Sequence, residues 1–251
     1  MLKHLIILGV VNLLAATLSG ASGGGAGFIS GVPLLILLGL SPAQAVATTR
    51  FGGLGISLGA SSRFFREKYT DKRAVAIFSV IAVIGSIIGS LALLRFKDHA
   101  HALQTFIGLL ILLVGVPSLY IRRVGLKSRA PSFTMCAIGY ILLVITTITS
   151  AAIATGIGSL QTLILIYFFG MTALKASATR RLIQLVIAVA SLAIYLPSGL
   201  IDFPLAITAL VTSFIGGFLG AHIAIKKGDK FVINLFAVVS ALLALQLLFG
   251  R

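Results

Sequence analysis

The chain has 251 residues, 59% hydrophobic and only 10% charged, with a mean hydropathy of +1.15, and a soluble domain of this size could not cover itself with so little polar surface. Its formal net charge of +15 does not point to nucleic acid, because the basic residues collect between apolar runs, where the positive-inside rule accounts for them. The runs are of helical length and lack barrel-strand alternation. The reading is therefore an all-α polytopic membrane protein, one transmembrane domain over 1–251 with 8 to 10 hydrophobic segments.

The first run, about 5–21, follows Lys3 and ends in small residues near 19–22, which resembles a signal peptide. An equally apolar internal counterpart at 132–153 favours its retention. The stretch SGGGAGFISGVP, 22–33, then sets glycines and a proline inside apolar sequence, leading into a short run at 27–40. Further runs follow at 44–62, 74–94, 102–121, 132–153, 159–170, 182–197, 205–225 and 232–249. At about 1.5 Å per residue, 27–40 and 159–170 cannot cross a bilayer core of about 30 Å. They read as half-helices.

An offset of 131 residues, the distance from Gly25 to Gly156, aligns two halves without a gap. It matches Gly27 with Gly158, Thr48 with Thr179, Arg50 with Arg181, Asp71 with Asp202, Gly85 with Gly216 and Gly89 with Gly220. The repeats cover about 1–121 and 132–251. Connection 63–73 carries Arg63, Arg66, Lys68, Lys72 and Arg73, and 122–129 carries Arg122, Arg123, Lys127 and Arg129, which places both in the cytoplasm. The repeat partner of the first, 198–204, has neither Lys nor Arg. Equivalent loops on opposite faces mean inverted repeats, an architecture that puts a transport site near the midplane. Each half then makes an odd number of crossings, five, or three if the Gly-rich pair is a re-entrant hairpin. Arg95 and Lys97 fall on the outer side and fit less well.

Glycines break both halves at the same place, and unwound backbone is tolerated in lipid only where protein buries it or a wet cavity hydrates it. Half-helices starting near Phe28 and Ser159 would aim free amides and a partial positive charge at that point, a ready anion site. The alternative is close helix packing through small residues. Ser41 and Thr172 read as N-caps, with Pro42 at a first helical position. Their helices carry Arg50 and Arg181 to membrane depth, where a charge needs a partner or a wet cavity. Thr48, Thr49 and Thr179 add hydroxyls.

Asp71, Asp98, Asp202 and Asp229 each precede an apolar run and read as N-caps. The "DHAH" of 98–101 has metal-ligand residue types without a fourth ligand, and His222 reads as packed or lipid-facing. Lone Cys136 excludes an intramolecular disulfide. There is no HExxH, no GxSxG and no acidic pair at helical spacing. Neither an enzyme nor a cofactor is expected.

The blocks GGGAGFISGVPLLILLGLSPAQAVATTR, FGMTALKASATRR and the paired VIGSIIGS and FIGGFLGA resemble the sulfite exporter TauE/SafE family, also called the toluene sulfonate uptake permease family, over nearly the whole chain. The second half lacks the full GGG and the proline. The resemblance implies a multi-pass permease of the prokaryotic inner membrane for small anions such as sulfite or organosulfonates. The expected function is a secondary transporter, an exporter on balance, in which the two halves rock about a central site. An anion channel and a non-transporting membrane scaffold are the alternatives. The residues expected to bind are Gly24, Gly25, Gly27, Phe28, Thr48, Thr49, Arg50, Gly156, Gly158, Ser159, Gln161, Thr179 and Arg181. Expected partners are a small sulfur oxyanion, a coupled proton or cation for any uptake mode, membrane lipid and a second copy in a homo-oligomer.

Overall fold

A computed structural model describes residues 2–24, 31–97, 126, 128–154 and 157–249. The described residues form helices α1 Leu2–Ser22, α2 Val32–Leu37, α3 Pro42–Arg66, α4 Lys72–Phe96, α5 Phe133–Ile153, α6 Gly158–Tyr167, α7 Ala173–Tyr195 and α8 Phe203–Phe249, the last broken at Gly228 with φ 76°. Among them, five stretches are long and apolar enough to cross a membrane: Lys3–Ser22, Lys72–Phe96, Phe133–Ile153, Ala173–Tyr195 and Phe203–Leu235. Large side chains such as Leu14, Val80, Ile141 and Ile207 are exposed, whereas Ala45, Ala47, Ala82, Ala176 and Ala178 are buried. That arrangement suits helices that pack through small residues and turn bulky ones to lipid.

The caps hold as the sequence predicts for α3, α4 and α7. Ser41 forms a full capping box with Gln44, Asp71 accepts from the Ala74 amide at 3.0 Å, and Thr172 accepts from the Lys175 amide at 3.4 Å. Asp202 likewise accepts from Leu205 at 3.1 Å. Asp229 differs: its carboxylate accepts from the Leu174 amide at 2.7 Å, capping α7 instead of its own run. The turn at Gly228, in a left-handed conformation that glycine takes without Cβ strain, brings it there. Helix α7 begins at Ala173, directly after the Thr172 cap as expected, and its first two turns precede the apolar run that starts at 182. Asp98, the DHAH stretch and the 102–121 run lie outside the described residues.

The repeat is visible in reciprocal contacts. The Asp202 amide donates to the Thr48 hydroxyl at 3.1 Å, and the Asp71 amide donates to the Thr179 hydroxyl at 3.2 Å. A Cβ on Gly89 would overlap the Ile148 carbonyl, and one on Gly220 the Thr17 carbonyl, so α4 meets α5 as α8 meets α1. Pairs related this way in both directions are the mark of a two-fold relation. Asp71 lies past the end of α3 yet touches the start of α7, so these equivalent helices run in opposite directions. The repeats are inverted.

Arg63, Arg66, Lys68, Lys72, Arg73 and Lys175 gather where α3 ends and α7 begins, the face that the positive-inside rule assigns to the cytoplasm. Gly9 of α1 faces Thr208 of α8, so α1 starts on the opposite face, where Ser41 also lies. Helix α1 thus starts on the face where the chain lies again at Ser41.

Packing does not follow the sequence halves. Helices α1 and α3 pack on α8, whereas α5 and α7 pack on α4. Each half lends its fourth helix to the other, producing two bundles, one of α1, α2, α3 and α8 and one of α4, α5, α6 and α7. They meet chiefly along α3 and α7.

Candidate functional site

Between the bundles lies a cavity of about 110 Å³, to which seven of the helices contribute. Thr49, Arg50 and Gly53 from α3 and their repeat partners Arg180, Arg181 and Gln184 from α7 all line it, as do the paired Ser19 and Ser150. The symmetric centre thus holds three arginines, each no more than 3% exposed.

Two of them have the same task. Arg50 donates a terminal nitrogen to the Ser150 carbonyl in the last turn of α5, and Arg181 donates to the Ser19 carbonyl in the last turn of α1. Arg181 also reaches the Ser19 hydroxyl at 3.1 Å. A guanidinium at a helix C-terminus satisfies an orphan carbonyl and faces the negative end of the helix dipole. Here it does so for the two helices that precede the glycine breaks.

Arg180 has no such acceptor. It makes no hydrogen bond or ion pair among the described residues, and its Nε is buried and unpartnered. Its guanidinium lies against both chain breaks: a Cβ on Gly158 would overlap it, and one on Gly24, whose φ is 135°, would come within 3.1 Å of it. Every described carboxylate is engaged elsewhere. Glu67 pairs with Arg63 at 3.1 Å, Asp71 with Lys175 at 2.9 Å, and Asp202 and Asp229 hold helix starts. A buried charge without a counter-ion is costly. Among the described residues Arg180 has none.

The cavity leans towards the α1–α3–α8 bundle, where most of the lining residues are smaller or more polar than their repeat partners. Asn12, Gly52, Ala209 and Ser213 line it on that side, while their repeat partners are Leu143, Ile183, Phe78 and Ala82, all buried in the core. Asn12 donates to Ala209, Thr212 and Ser213 at 2.8–2.9 Å, which ties α1 to α8.

Of the residues expected from sequence, Thr49, Arg50, Gly158 and Arg181 line this cavity, and Gly24 touches the Arg180 guanidinium. Thr48 and Thr179 instead hold the amides of Asp202 and Asp71 at helix junctions. Gln161 and Ser159 are buried in α6, and both amide atoms of Gln161 lack partners. Gly25, Gly27, Phe28 and Gly156 lie outside the described residues; the described part of the first short helix begins at Val32. Sequence reasoning missed Arg180, which aligns with Thr49 and so escapes a search for symmetric charges. The doublet Arg180–Arg181 was the available signal.

The profile of the family described as "Sulfite exporter TauE/SafE" matches residues 8–247. The chain belongs to the sulfite exporter TauE/SafE family. It is 25% identical over 247 residues to a "Probable membrane transporter protein" of Haemophilus influenzae, covering 98% of this chain and 95% of that one. The "Probable membrane transporter protein YfcA" of Escherichia coli K12 is also 25% identical, over 97% of this chain and 90% of its own. A similar protein of Sinorhizobium, "Probable membrane transporter protein ORF9", is 24% identical over 98% and 93%. No solved structure matches the chain. This member of the TauE/SafE family is a multi-pass membrane transporter, and in it the two glycine breaks of the family-like sequence blocks converge on one unpaired arginine.

Proposed function

We propose that this transporter carries a small sulfur oxyanion, sulfite or an organosulfonate, out across the prokaryotic inner membrane by alternating access. The buried, unpartnered guanidinium of Arg180 between the two breaks carries the reading. Its planar fork of donors suits an oxyanion, and the cavity has room for several waters, hence for one small anion. The family description, a sulfite exporter, supports the substrate class.

With the cell interior negative, each exported negative charge gains about 2.3 kcal/mol per 100 mV, so export needs no coupled ion. Uptake would need a proton or cation, and the described carboxylates are engaged at helix ends. The bodies that move are the two interleaved bundles, since these, not the sequence halves, are the packed units. Flux from proteoliposomes loaded with sulfite tests the reading. It should be saturable, accelerated by a potential negative inside, and lost in Arg180→Gln; equal flux in Arg180→Gln and wild type would refute it.

A further inference from the structure

We infer that Arg50 and Arg181 are the two gates of the transport cycle, Arg50 on the outer side and Arg181 on the cytoplasmic side. The inference rests on the alternating-access part of the proposed function. Among the described residues several polar ties join helices of one bundle, as Thr48 with Asp202 and Thr179 with Asp71 do. The two arginine ties cross between bundles. Arg50 of α3 grips α5, and Arg181 of α7 grips α1.

The ties sit at different depths. Arg50 is eight residues past Pro42 and so about 12 Å from the outer end of α3, and Arg181 is eight past Ala173, about 12 Å from the cytoplasmic end of α7. Helix α3 is about 37 Å long, which leaves about 13 Å between the two levels. The cavity, lined by Arg50, Ser150, Arg181 and Ser19, spans that interval. With both ties made, the bundles are clasped above and below the Arg180 site. Parting the bundles at one face breaks one charge-assisted hydrogen bond while the other persists as the pivot.

On the cytoplasmic side the Thr162 hydroxyl also donates to the Gly23 carbonyl at 2.6 Å, a second tie between the bundles beside that of Arg181.

The test is sided labelling of a cavity cysteine, Gly53→Cys in a Cys136→Ser background, by a membrane-impermeant quaternary-ammonium maleimide in right-side-out and everted vesicles. Gly53 lines the cavity and a Cβ there meets nothing within 4 Å. Arg50→Gln should raise the rate from outside by about tenfold or more, the worth of one charge-assisted hydrogen bond, with no change from inside. Arg181→Gln should raise it from inside alone. Arg50→Lys and Arg181→Lys, which keep the charge and protect the fold, should show the same sidedness with smaller rises. No rise, an equal rise from both faces, or reversed sides would overturn the inference. Labelling is done without any oxyanion, so failure here is separate from failure of Arg180 to bind one.

Discussion

Thr49 and Arg180 occupy equivalent positions in the two repeats and line the same cavity, yet one ends in a hydroxyl and the other in a buried guanidinium, and neither Thr49 Oγ1 nor Arg180 Nε has a hydrogen-bond partner. The repeat supplies a symmetric frame and this position breaks the symmetry. If the anion is gripped by the arginine's fork, Arg180→Lys should keep the charge but lose the paired geometry. Sulfite affinity should fall about tenfold, in line with one charge-assisted hydrogen bond, as read by a shift in half-saturation of flux.

Gly158 is the platform for that guanidinium. Gly158→Ala should leave the thermal midpoint nearly unchanged, because its Cβ meets the far end of a flexible side chain. It should still weaken sulfite binding about tenfold by displacing Arg180, an effect of the size of one lost charge-assisted bond. Gly24→Ala, at φ 135° and with the Gly158 backbone 2.8 Å from its Cβ, should instead lower the midpoint.

Two neighbouring glycines of α3 separate packing from the cavity. A Cβ on Gly55 would overlap the Leu210 carbonyl and come within 2.9 Å of the Phe214 amide nitrogen, where no side chain can give way. Gly55→Ala should destabilise by about 1–3 kcal/mol, as overpacking does. Gly53→Ala, with nothing within 4 Å, should match or exceed wild-type stability, since alanine is the better helix former. Thermal unfolding in detergent distinguishes them.

The Ala74 amide holds the Asp71 carboxyl below its ordinary value of 3.8, against the opposing effect of burial and with further help from Lys175. A carboxyl depressed in the folded state contributes stability above its unfolded value and loses it as pH falls through the folded one. Asp71→Asn, still a good cap, should melt lower than wild type at pH 7, and the gap should close below about pH 3.8.

Much of this architecture was legible in the sequence. Caps at Ser41, Asp71, Thr172 and Asp202 follow from local chemistry, and the inverted repeat follows from rare matched residues and unequal loop charge. The exchange of α4 and α8 between halves was not legible, because an internal repeat says which segments are equivalent and not which ones touch. Asp229 was misread for a similar reason: a cap pattern cannot foresee that a turn at Gly228 delivers the carboxylate to another helix. Arg50 and Arg181 were found by their symmetry, which also explains why they serve matched carbonyls. Arg180 was hidden because asymmetry concealed it.

The central claim is that an oxyanion completes the Arg180 site, and titration calorimetry of sulfite into the purified protein tests it most directly. Wild type and Arg63→Gln, a cation already paired with Glu67 at the surface, should bind saturably with similar affinity. Arg180→Gln should bind about a hundredfold more weakly, the worth of two charge-assisted hydrogen bonds. Equal affinity in all three proteins would contradict the account.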